Sequence, residues 1–482
     1  MKDNSSVVDI EKETLVLNQA EHLTENEIAI HKRYLRKVDL RILPIVVLVA
    51  ISCFIDRGII AAALVYGLVP GMKLNATQQG NVTTFFFVFY IIFEAPANIM
   101  LKRVKPHYWF GFLALGFSIT TLMQAFAKNG NTLTILRSLL GVFEAGISPG
   151  IVGYLNYWYT RSEVSLRMVL FFFSVPLAGV IGSPFAAAVS HIKIKSIKPY
   201  QNVFLFTGIL TLVVGILALF LIHDYPDTAK FLDPEEKELI LRRLNREQGL
   251  ASKTKGSISE ALKFLMDWKL WVFCLIYFGN NNAVNVLSLF IPTVAATLGY
   301  NPTQSTMIYM GYYIVGLVGM LVYIFLLRKK PFWVVISFFS AFTAITYYVA
   351  LFTKGKIVRV VFLMLTGFGT SPVAPIIVGW LSVNQGGVYK GMIGTAIQLS
   401  FGNISGIISP RLYTTKFLPK FLGGSILLVA SLVVSIILSF VMTAYFNAEN
   451  KRRDANPVDI SNLSEDEQRK MYDKHPNFRY KS

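Results

Sequence analysis

The chain has 482 residues, of which 54% are hydrophobic and 15% are charged, whereas soluble domains carry roughly 25% charged residues. The apolar residues occur in blocks of about 20, the length that crosses a bilayer core as a helix, without the alternation typical of a membrane β-barrel. The net charge of +18 lies mainly between the blocks, which argues against nucleic-acid binding. Composition therefore excludes a soluble domain and predicts an all-α integral membrane protein.

Twelve of these blocks are long enough to be transmembrane helices. The segment ahead of the first block is polar, so we expect the first span to act as an uncleaved signal anchor. Most Lys and Arg lie in segments that share one side of the membrane with both termini, which predicts cytoplasmic termini. The predicted spans are residues 42–66, 80–101, 108–127, 133–156, 168–190, 203–222, 270–291, 305–327, 332–352, 358–381, 391–413 and 423–446.

One long polar interruption separates the first six spans from the last six. Within it, Asp233-Pro234-Glu235-Glu236 predicts the start of a short amphipathic helix, since Asp caps, Pro suits the first helical position and carboxylates favour the positive helix end. A second short helix is predicted over 257–268, and both tails are expected to be disordered or peripheral. Two six-helix bundles around an inner linker are typical of transporters. The predicted regions are a cytoplasmic N-terminal segment 1–41, an N-terminal bundle 42–223, a cytoplasmic linker 224–268, a C-terminal bundle 269–447 and a cytoplasmic tail 448–482.

Four ionisable residues stand at bilayer depth, where each costs at least about 2.5–3.5 kcal/mol on insertion scales. Asp56 and Arg57 lie near the middle of the first span and, as sequence neighbours, diverge by about 100°, so they need not pair with each other. Arg137 and Glu144 in the fourth span are seven residues apart, which puts them on one helix face about 10 Å apart. Such costly residues indicate a functional site.

Their chemistry suits anion transport driven by protons. A guanidinium stays charged and binds a carboxylate with two parallel hydrogen bonds, so we predict Arg57 and Arg137 as substrate-binding residues. A carboxyl withdrawn from water can take up a proton outside and release it inside, so we predict proton coupling by Asp56 and Glu144. The alternative is that these residues form structural ion pairs that lock the first span to the fourth.

Two further polar positions are candidates for the transport cycle. Glu94, in the inner half of the second span, is predicted to form a gate or an inter-span salt bridge. Asn403 in the eleventh span could bind the substrate or merely hydrogen-bond another helix. The histidines and the two cysteines show no spacing that suggests a metal site, and neither a metal nor another cofactor is expected.

Several segments of the chain resemble the major facilitator superfamily, and specifically the fungal allantoate permease family of organic anion–proton symporters. The run over 137–150 is the most specific of them, and the resemblance extends over essentially the whole chain. The similar segments are RKVDLRILP (36–44), Asp56-Arg57, FEAPAN (93–98), RSLLGVFEAGISPG (137–150), DYPDTAKFL (224–232) and DKHPNFRY (473–480).

The resemblance implies roles for individual residues. In related animal and bacterial organic-anion symporters, positions similar to Asp56 and Glu144 carry protons, and the one similar to Arg57 holds the substrate carboxylate. The position similar to Arg137 serves coupling, and an asparagine like Asn403 lines the site. This chain departs from the family by having Ile59 where asparagine is common, which leaves the substrate open among the family's anions. These include allantoate, ureidosuccinate, nicotinate and pantothenate.

The sequence therefore predicts a proton-coupled symporter of a small organic anion, with protons and the lipid bilayer as its other partners. We expect a monomeric, multi-pass protein of the plasma membrane that does not bind nucleic acid. A nutrient sensor of the same fold is the alternative, although the tail is short for a signalling domain. An enzyme is not expected, because no cluster with catalytic spacing appears.

Overall fold

The computed structural model describes residues 24–101, 103–252, 263–386, 388–413, 421–456, 468 and 471–482. In this part of the chain, eleven helices are long and apolar enough to cross a membrane. A further helix, Pro106–Gln124, has 19 residues and carries His107, Tyr108 and Trp109 in its first turn. With it, the twelve-helix prediction is confirmed.

The N-terminal half contains the first six spans, two of which depart from a single apolar helix. The fourth is interrupted just after Glu144, and the fifth helix begins with a polar turn ahead of its membrane-crossing part, Arg167–Ser190. In order, the helices are Leu43–Val65, Ala76–Leu101, Pro106–Gln124, the pair Gly130–Glu144 and Ile147–Leu155, Arg161–Ser190 and Pro199–Leu221.

The C-terminal half contains the last six spans, and most of its helices extend several residues beyond the predicted apolar blocks. Its eleventh span is interrupted after Asn403, as the fourth is after Glu144. In order, the helices are Trp268–Thr297, Pro302–Val322 with a π-helical turn Tyr323–Leu327, Phe332–Phe352, Lys356–Val383, the pair Val388–Asn403 and Ser405–Leu412, and Leu422–Ala455.

Helices within one half approach each other closely where a glycine removes the side chain. A Cβ built on Gly141 of the fourth span would lie 2.3 Å from the carbonyl oxygen of Phe86 in the second. One built on Gly367 of the tenth span would lie 2.0 Å from the carbonyl oxygen of Tyr312 in the eighth. Backbone therefore packs directly on backbone inside each half, as small residues allow in membrane bundles.

The two halves meet mainly through side chains, and the hydrogen bonds between them concentrate toward one end. Tyr66 bonds Thr306 at 3.4 Å and His191 bonds Thr303 at 3.0 Å. The Thr84 hydroxyl donates to a carbonyl of the eleventh span at 3.1 Å. This end is called the opposite face, because the N-terminal helix, linker and tail lie at the other end, the terminal face. The halves are thus packed together at the opposite face.

An additional helix, Glu25–Arg41, lies at the terminal face and was not anticipated from the sequence. Thr24 and Glu27 form a capping box at its start. Lys37 contacts Asp233 at 2.8 Å and Glu236 at 2.9 Å. The linker helix Pro234–Ser252 begins where its acidic run predicted, and this ion-pair cluster binds it to the N-terminal half.

The last residues of the chain pack against the C-terminal half, so of the two alternatives expected for the tail, disordered or peripheral, residues 471–482 agree with the second. Asp473 forms ion pairs with Lys269 of the seventh span and with Lys390 of the eleventh. The Trp380 indole donates to the carbonyl of Lys481 at 2.8 Å. The second linker helix, predicted over 257–268, falls largely outside the described residues.

Candidate functional site

The centre of the N-terminal half contains an ion pair between the first and fourth spans. Arg57 Nε donates to Glu144 Oε2 at 3.1 Å. The Glu144 side chain is fully buried at the point where the fourth span is interrupted, whereas the Arg57 side chain remains 21% exposed. Arg137 and Glu144 lie in the same helix, and the ion pair joins Glu144 to Arg57 of the first span, the kind of contact that the structural alternative for these residues expects.

Aromatic rings surround the Arg57 guanidinium. Its carbon lies 4.8 Å from the ring centre of Tyr90, 5.3 Å from that of Phe54 and 5.6 Å from that of Phe86. Cations are attracted to the faces of such rings, more strongly where water is excluded. Nη2 of Arg57 has no hydrogen-bond partner among the described residues. The guanidinium is thus held in place while donor capacity remains for a ligand carboxylate.

Asp56 differs from Glu144 because its carboxyl forms no ion pair among the described residues, although the Arg137 guanidinium lies within electrostatic range. It is fully buried, and neither carboxyl oxygen has a hydrogen-bond partner there. Its neighbours include the side chains of Thr121 and Thr211 from the third and sixth spans. An ionised carboxylate is costly in such surroundings, whereas a protonated one is not. The environment of Asp56 is therefore suited to a carboxyl that carries a proton.

Arg137 is fully buried and reaches the backbone of Asp56 rather than its carboxyl. Its Nη1 lies 3.5 Å from the Asp56 carbonyl oxygen. The guanidinium carbon is 5.0 Å from the centre of the Phe86 ring, so Phe86 contacts both this arginine and Arg57. In this conformation Arg137 is shielded, and its role in substrate binding stays a prediction.

Glu94 and Asn403 lie near the seam between the two halves. Glu94 is 4% exposed and accepts a hydrogen bond of 2.8 Å from Ser400 of the eleventh span. Glu94 thus forms a hydrogen bond between the halves rather than a salt bridge. This contact lies about 15 Å along the second span from the hydrogen bond of Thr84. Asn403 is half-buried at the break in the eleventh span. Their gating and binding roles are untested predictions.

The C-terminal half has a neutral polar network at the corresponding depth. Asn280 bonds Ser435 and Ser340, each at 2.7 Å. Asn282 bonds Ser409 at 2.7 Å and Ser431 at 3.2 Å. These contacts tie the seventh span to the ninth, eleventh and twelfth, and they use amides and hydroxyls instead of charges.

Sequence reasoning missed the aromatic surroundings of Arg57. Phe86, Tyr90 and Glu94 recur every four residues in the second span, so they share one helix face. That spacing was available in the sequence and would have placed two rings beside the predicted gate. Which span this face meets depends on how the helices pack, and local spacing does not determine that.

Twelve helices in two halves, with buried charges at the centre, define a secondary membrane transporter. Residues 46–410 match the model of the Major Facilitator Superfamily, a range that covers more than half of the chain. The chain belongs to the Major Facilitator Superfamily. It is a multi-pass membrane transporter and not an enzyme.

Individual relatives agree with this assignment. The chain is 35% identical over 289 residues to "MFS transporter prlL" of Fungal sp. (strain NRRL 50135), a match that covers 58% of each chain. It is 31% identical over 274 residues to a "Putative tartrate transporter" of Agrobacterium vitis, covering 56% of this chain and 62% of that one. The chain thus spans about three fifths of each relative.

The fold also resembles a solved transporter structure. The "D-xylose-proton symporter" superimposes with a TM-score of 0.63 over 83% of this chain and 96% of that chain. The two sequences are 12% identical, so this likeness concerns the fold alone.

Proposed function

We propose that this transporter is a proton-coupled symporter that imports a small organic anion by alternating access, as in the allantoate permease family. The observation that carries the proposal is the Arg57–Glu144 pair. It joins a partly exposed guanidinium to a fully buried carboxylate at 3.1 Å. A substrate carboxylate and Glu144 would compete for the same cation, which supplies a direct physical link between anion binding and protonation.

In the proposed cycle, Glu144 takes up a proton while the site is open to the outside. The neutral carboxyl binds Arg57 less strongly, so the guanidinium becomes available to the substrate carboxylate, which it holds with paired hydrogen bonds. After reorientation, the substrate leaves and Glu144 releases its proton. The Arg57–Glu144 ion pair then forms again, and it disfavours return of the anion without a proton.

Asp56 is proposed as a second proton site. Its buried, unpaired carboxyl favours the neutral form in this conformation, and it lies beside Arg57 in sequence. A monoanion carried with two protons moves one net positive charge, which gains about 2.3 kcal/mol per 100 mV. Both the pH gradient and the membrane potential would then concentrate the substrate.

Alternating access requires the halves to separate at one face while they close at the other. The hydrogen bonds of Tyr66 and Thr84 at the opposite face support a state that is closed there. We propose that the terminal face is cytoplasmic, since the basic segments favour that orientation. Glu94 would act as a gate through its bond to Ser400, and Arg137 and Asn403 would contribute to coupling and binding.

A carboxylate substrate is supported by two features. One is the exposed edge of Arg57, and the other is the similarity to a relative named as a putative tartrate transporter. The proposed substrates are carboxylate-bearing vitamins or nitrogen sources such as allantoate, ureidosuccinate, nicotinate or pantothenate. We further propose that the protein acts in the plasma membrane.

The test uses purified protein in proteoliposomes with an imposed pH gradient and membrane potential. Uptake of each radiolabelled candidate anion is measured with and without a protonophore, and with and without sodium. We expect accumulation that the protonophore abolishes and sodium removal leaves unchanged. The opposite pattern would reject proton coupling.

Counterflow separates transport from sensing in the same preparation. Vesicles loaded with unlabelled anion should take up labelled anion transiently if the protein is a carrier. Binding of the anion without any counterflow would instead support a non-transporting sensor.

A further inference from the structure

The seventh span carries four buried asparagines, and one of them differs from the rest. Asn280, Asn282 and Asn285 each bond a serine hydroxyl on a neighbouring helix. The amide nitrogen of Asn281 is buried and has no hydrogen-bond partner among the described residues, and the residue is only 7% exposed. Buried donors without an acceptor are rare because they lose water without compensation. The donor of Asn281 is therefore available for a ligand.

The helix face of Asn281 points toward the charged site. Tyr277 is one turn earlier on the same face, and its phenol lies within electrostatic range of Glu94, Tyr90 and Arg57. A Cβ built on Gly402 of the eleventh span would meet the Tyr277 ring at 2.3 Å and Asn281 Nδ2 at 3.4 Å. Asn281 thus lies between the break in the eleventh span and the group of residues around Arg57.

Among the described residues near the middle of the seam, Arg57 is the cation that a solute can reach; Arg411, which lies against Gly80, is at the opposite face. Arg57 is partly exposed, whereas Arg137 is fully buried and contacts the Phe86 ring. Basic residues of the C-terminal half's described spans lie at helix ends, where Lys269 and Lys390 pair with Asp473 of the tail. Opposite Arg57, the site is therefore neutral and offers hydrogen-bond donors.

We propose that Asn281 is a substrate-binding residue and that the solute is a monocarboxylate with a neutral hydrogen-bond acceptor. Arg57 would hold its single carboxylate, and the Asn281 amide would donate to a carbonyl or ring nitrogen at the other end. A second carboxylate would lack a cation and would lose its hydration there. This inference rests on the proposed function and narrows its substrate class, since ureidosuccinate, a dicarboxylate, is then excluded.

Isothermal titration calorimetry on the full-length protein in lipid nanodiscs at mildly acidic pH tests the proposal with matched ligands. Nicotinate and benzoate share size and carboxylate but differ in one ring-nitrogen acceptor. N-carbamoylglycine and ureidosuccinate share the ureido acceptor but differ by a second carboxylate. We expect nicotinate to bind about tenfold more tightly than benzoate in the wild type, the equivalent of one hydrogen bond. N-carbamoylglycine should bind more tightly than ureidosuccinate.

Two neighbouring variants separate binding from folding. Asn281→Ala removes a nitrogen that has no partner among the described residues, so the melting temperature should stay unchanged. The ratio of nicotinate affinity to benzoate affinity should fall close to one. Asn280→Ala removes bonds to Ser435 and Ser340, so it should lower the melting temperature and keep the preference. If either variant is too unstable, Asn281→Ser, which retains a donor, should retain part of the preference.

Each outcome of these binding experiments either supports or overturns the role of Asn281. An unchanged nicotinate preference in Asn281→Ala, or tight ureidosuccinate binding by the wild type, would overturn the inference while leaving carboxylate transport intact. If no carboxylate binds at any pH, the proposed function itself fails, and the role of Asn281 fails with it.

Discussion

The two halves of the transporter have the same kind of helical architecture but different interiors. The N-terminal half places Asp56, Arg57, Arg137 and Glu144 near its centre, all of them buried except the partly exposed Arg57. The C-terminal half fills the corresponding region with asparagine amides and serine hydroxyls. Asparagine amides and serine hydroxyls have no ionised form at physiological pH, whereas a carboxyl can be either ionised or protonated. The comparison supports our proposal that proton chemistry belongs to the N-terminal half and neutral recognition to the C-terminal half.

The largest effect is expected from replacing Arg57, the partly exposed cation of the N-terminal half. Arg57→Lys keeps the positive charge, but lysine cannot form the two parallel hydrogen bonds that arginine makes with a carboxylate. We therefore expect uptake to fall by about 100-fold or more. Initial uptake rates per unit of reconstituted protein measure this. Arg33→Lys is the control, because Arg33 pairs with Glu236 at the terminal face and should tolerate Lys. Near-normal uptake by Arg57→Lys would leave Arg57 a structural role only.

The next prediction separates proton coupling from substrate movement. Glu144→Gln resembles a permanently protonated carboxyl and can still accept a hydrogen bond from Arg57. Exchange of internal for external anion should therefore survive, while uphill uptake and its increase at low external pH should be lost. Both fluxes are measured in the same vesicles. Equal loss of exchange and uptake would indicate that Glu144 only holds the fourth span in place.

A carboxyl outside the membrane supplies the matched control. Glu163 lies in the polar first turn of the fifth helix, ahead of Arg167–Ser190. Burial alone would raise the pKa of Glu163, but His31 at 2.6 Å and Arg243 at 3.4 Å outweigh it and lower the pKa to about 2. Its contribution to stability is present above the ordinary pKa and is lost as pH falls toward 2. Glu163→Gln should thus leave the pH profile of uptake unchanged.

Asp473 of the tail allows a test of whether its ion pairs with Lys269 and Lys390 stabilise the C-terminal half. Burial alone would raise the pKa of Asp473, but Lys269 and Lys390 outweigh burial and lower it. Asp473→Asn should destabilise the protein by about 3 kcal/mol, near the lower end for breaking a buried ion pair. The loss in melting temperature should be constant from pH 5 to 8 and shrink below about pH 4, where an unfolded Asp takes up its proton.

Two results would contradict that role for the tail. One is an unchanged melting temperature in Asp473→Asn. The other is a deficit that grows on acidification, since a lowered pKa stabilises the folded state only while the carboxyl is ionised.

The smallest effect is expected from a change in the C-terminal half, whose interior is neutral. Asn282→Ala loses the bonds to Ser409 and Ser431 and should cost about 1–3 kcal/mol. Because no titratable group is removed, the ratio of protons to substrate should not change. A changed ratio, measured from the reversal potential in proteoliposomes, would break the division between the two halves.

Much of the fold could be predicted from the sequence because bilayer thickness imposes a length on each apolar helix. The helix start at Asp233 followed from capping chemistry. The N-terminal helix was missed although Thr24 and Glu27 form a recognisable capping box. The packing of the tail was missed because its charges have partners more than 80 residues away, at Lys269 and Lys390.

The candidate site was predictable in its members but not in its pairing. Arg137 and Glu144 lie in one continuous helix, as their spacing predicts, yet helical spacing carries no information on how the first span is rotated against the fourth. That rotation brings Arg57 to Glu144 and leaves the Asp56 carboxyl without an ion pair among the described residues. The partner of Glu94, a serine in the other half, depends on tertiary packing in the same way.

The seam between the halves has a consequence for pharmacology. Inside each half, backbone touches backbone at Gly141 and Gly367, whereas across the seam Gly406 faces the ring of Phe87. A joint made of side chains re-forms at a new angle more readily than one made of interlocked backbone. If the halves rock as we propose, a compound bound between Gly406 and Phe87 would arrest that motion without contacting the proposed anion site. Such an inhibitor would need no carboxylate, and raising the concentration of the transported solute would not compete with it for a shared site.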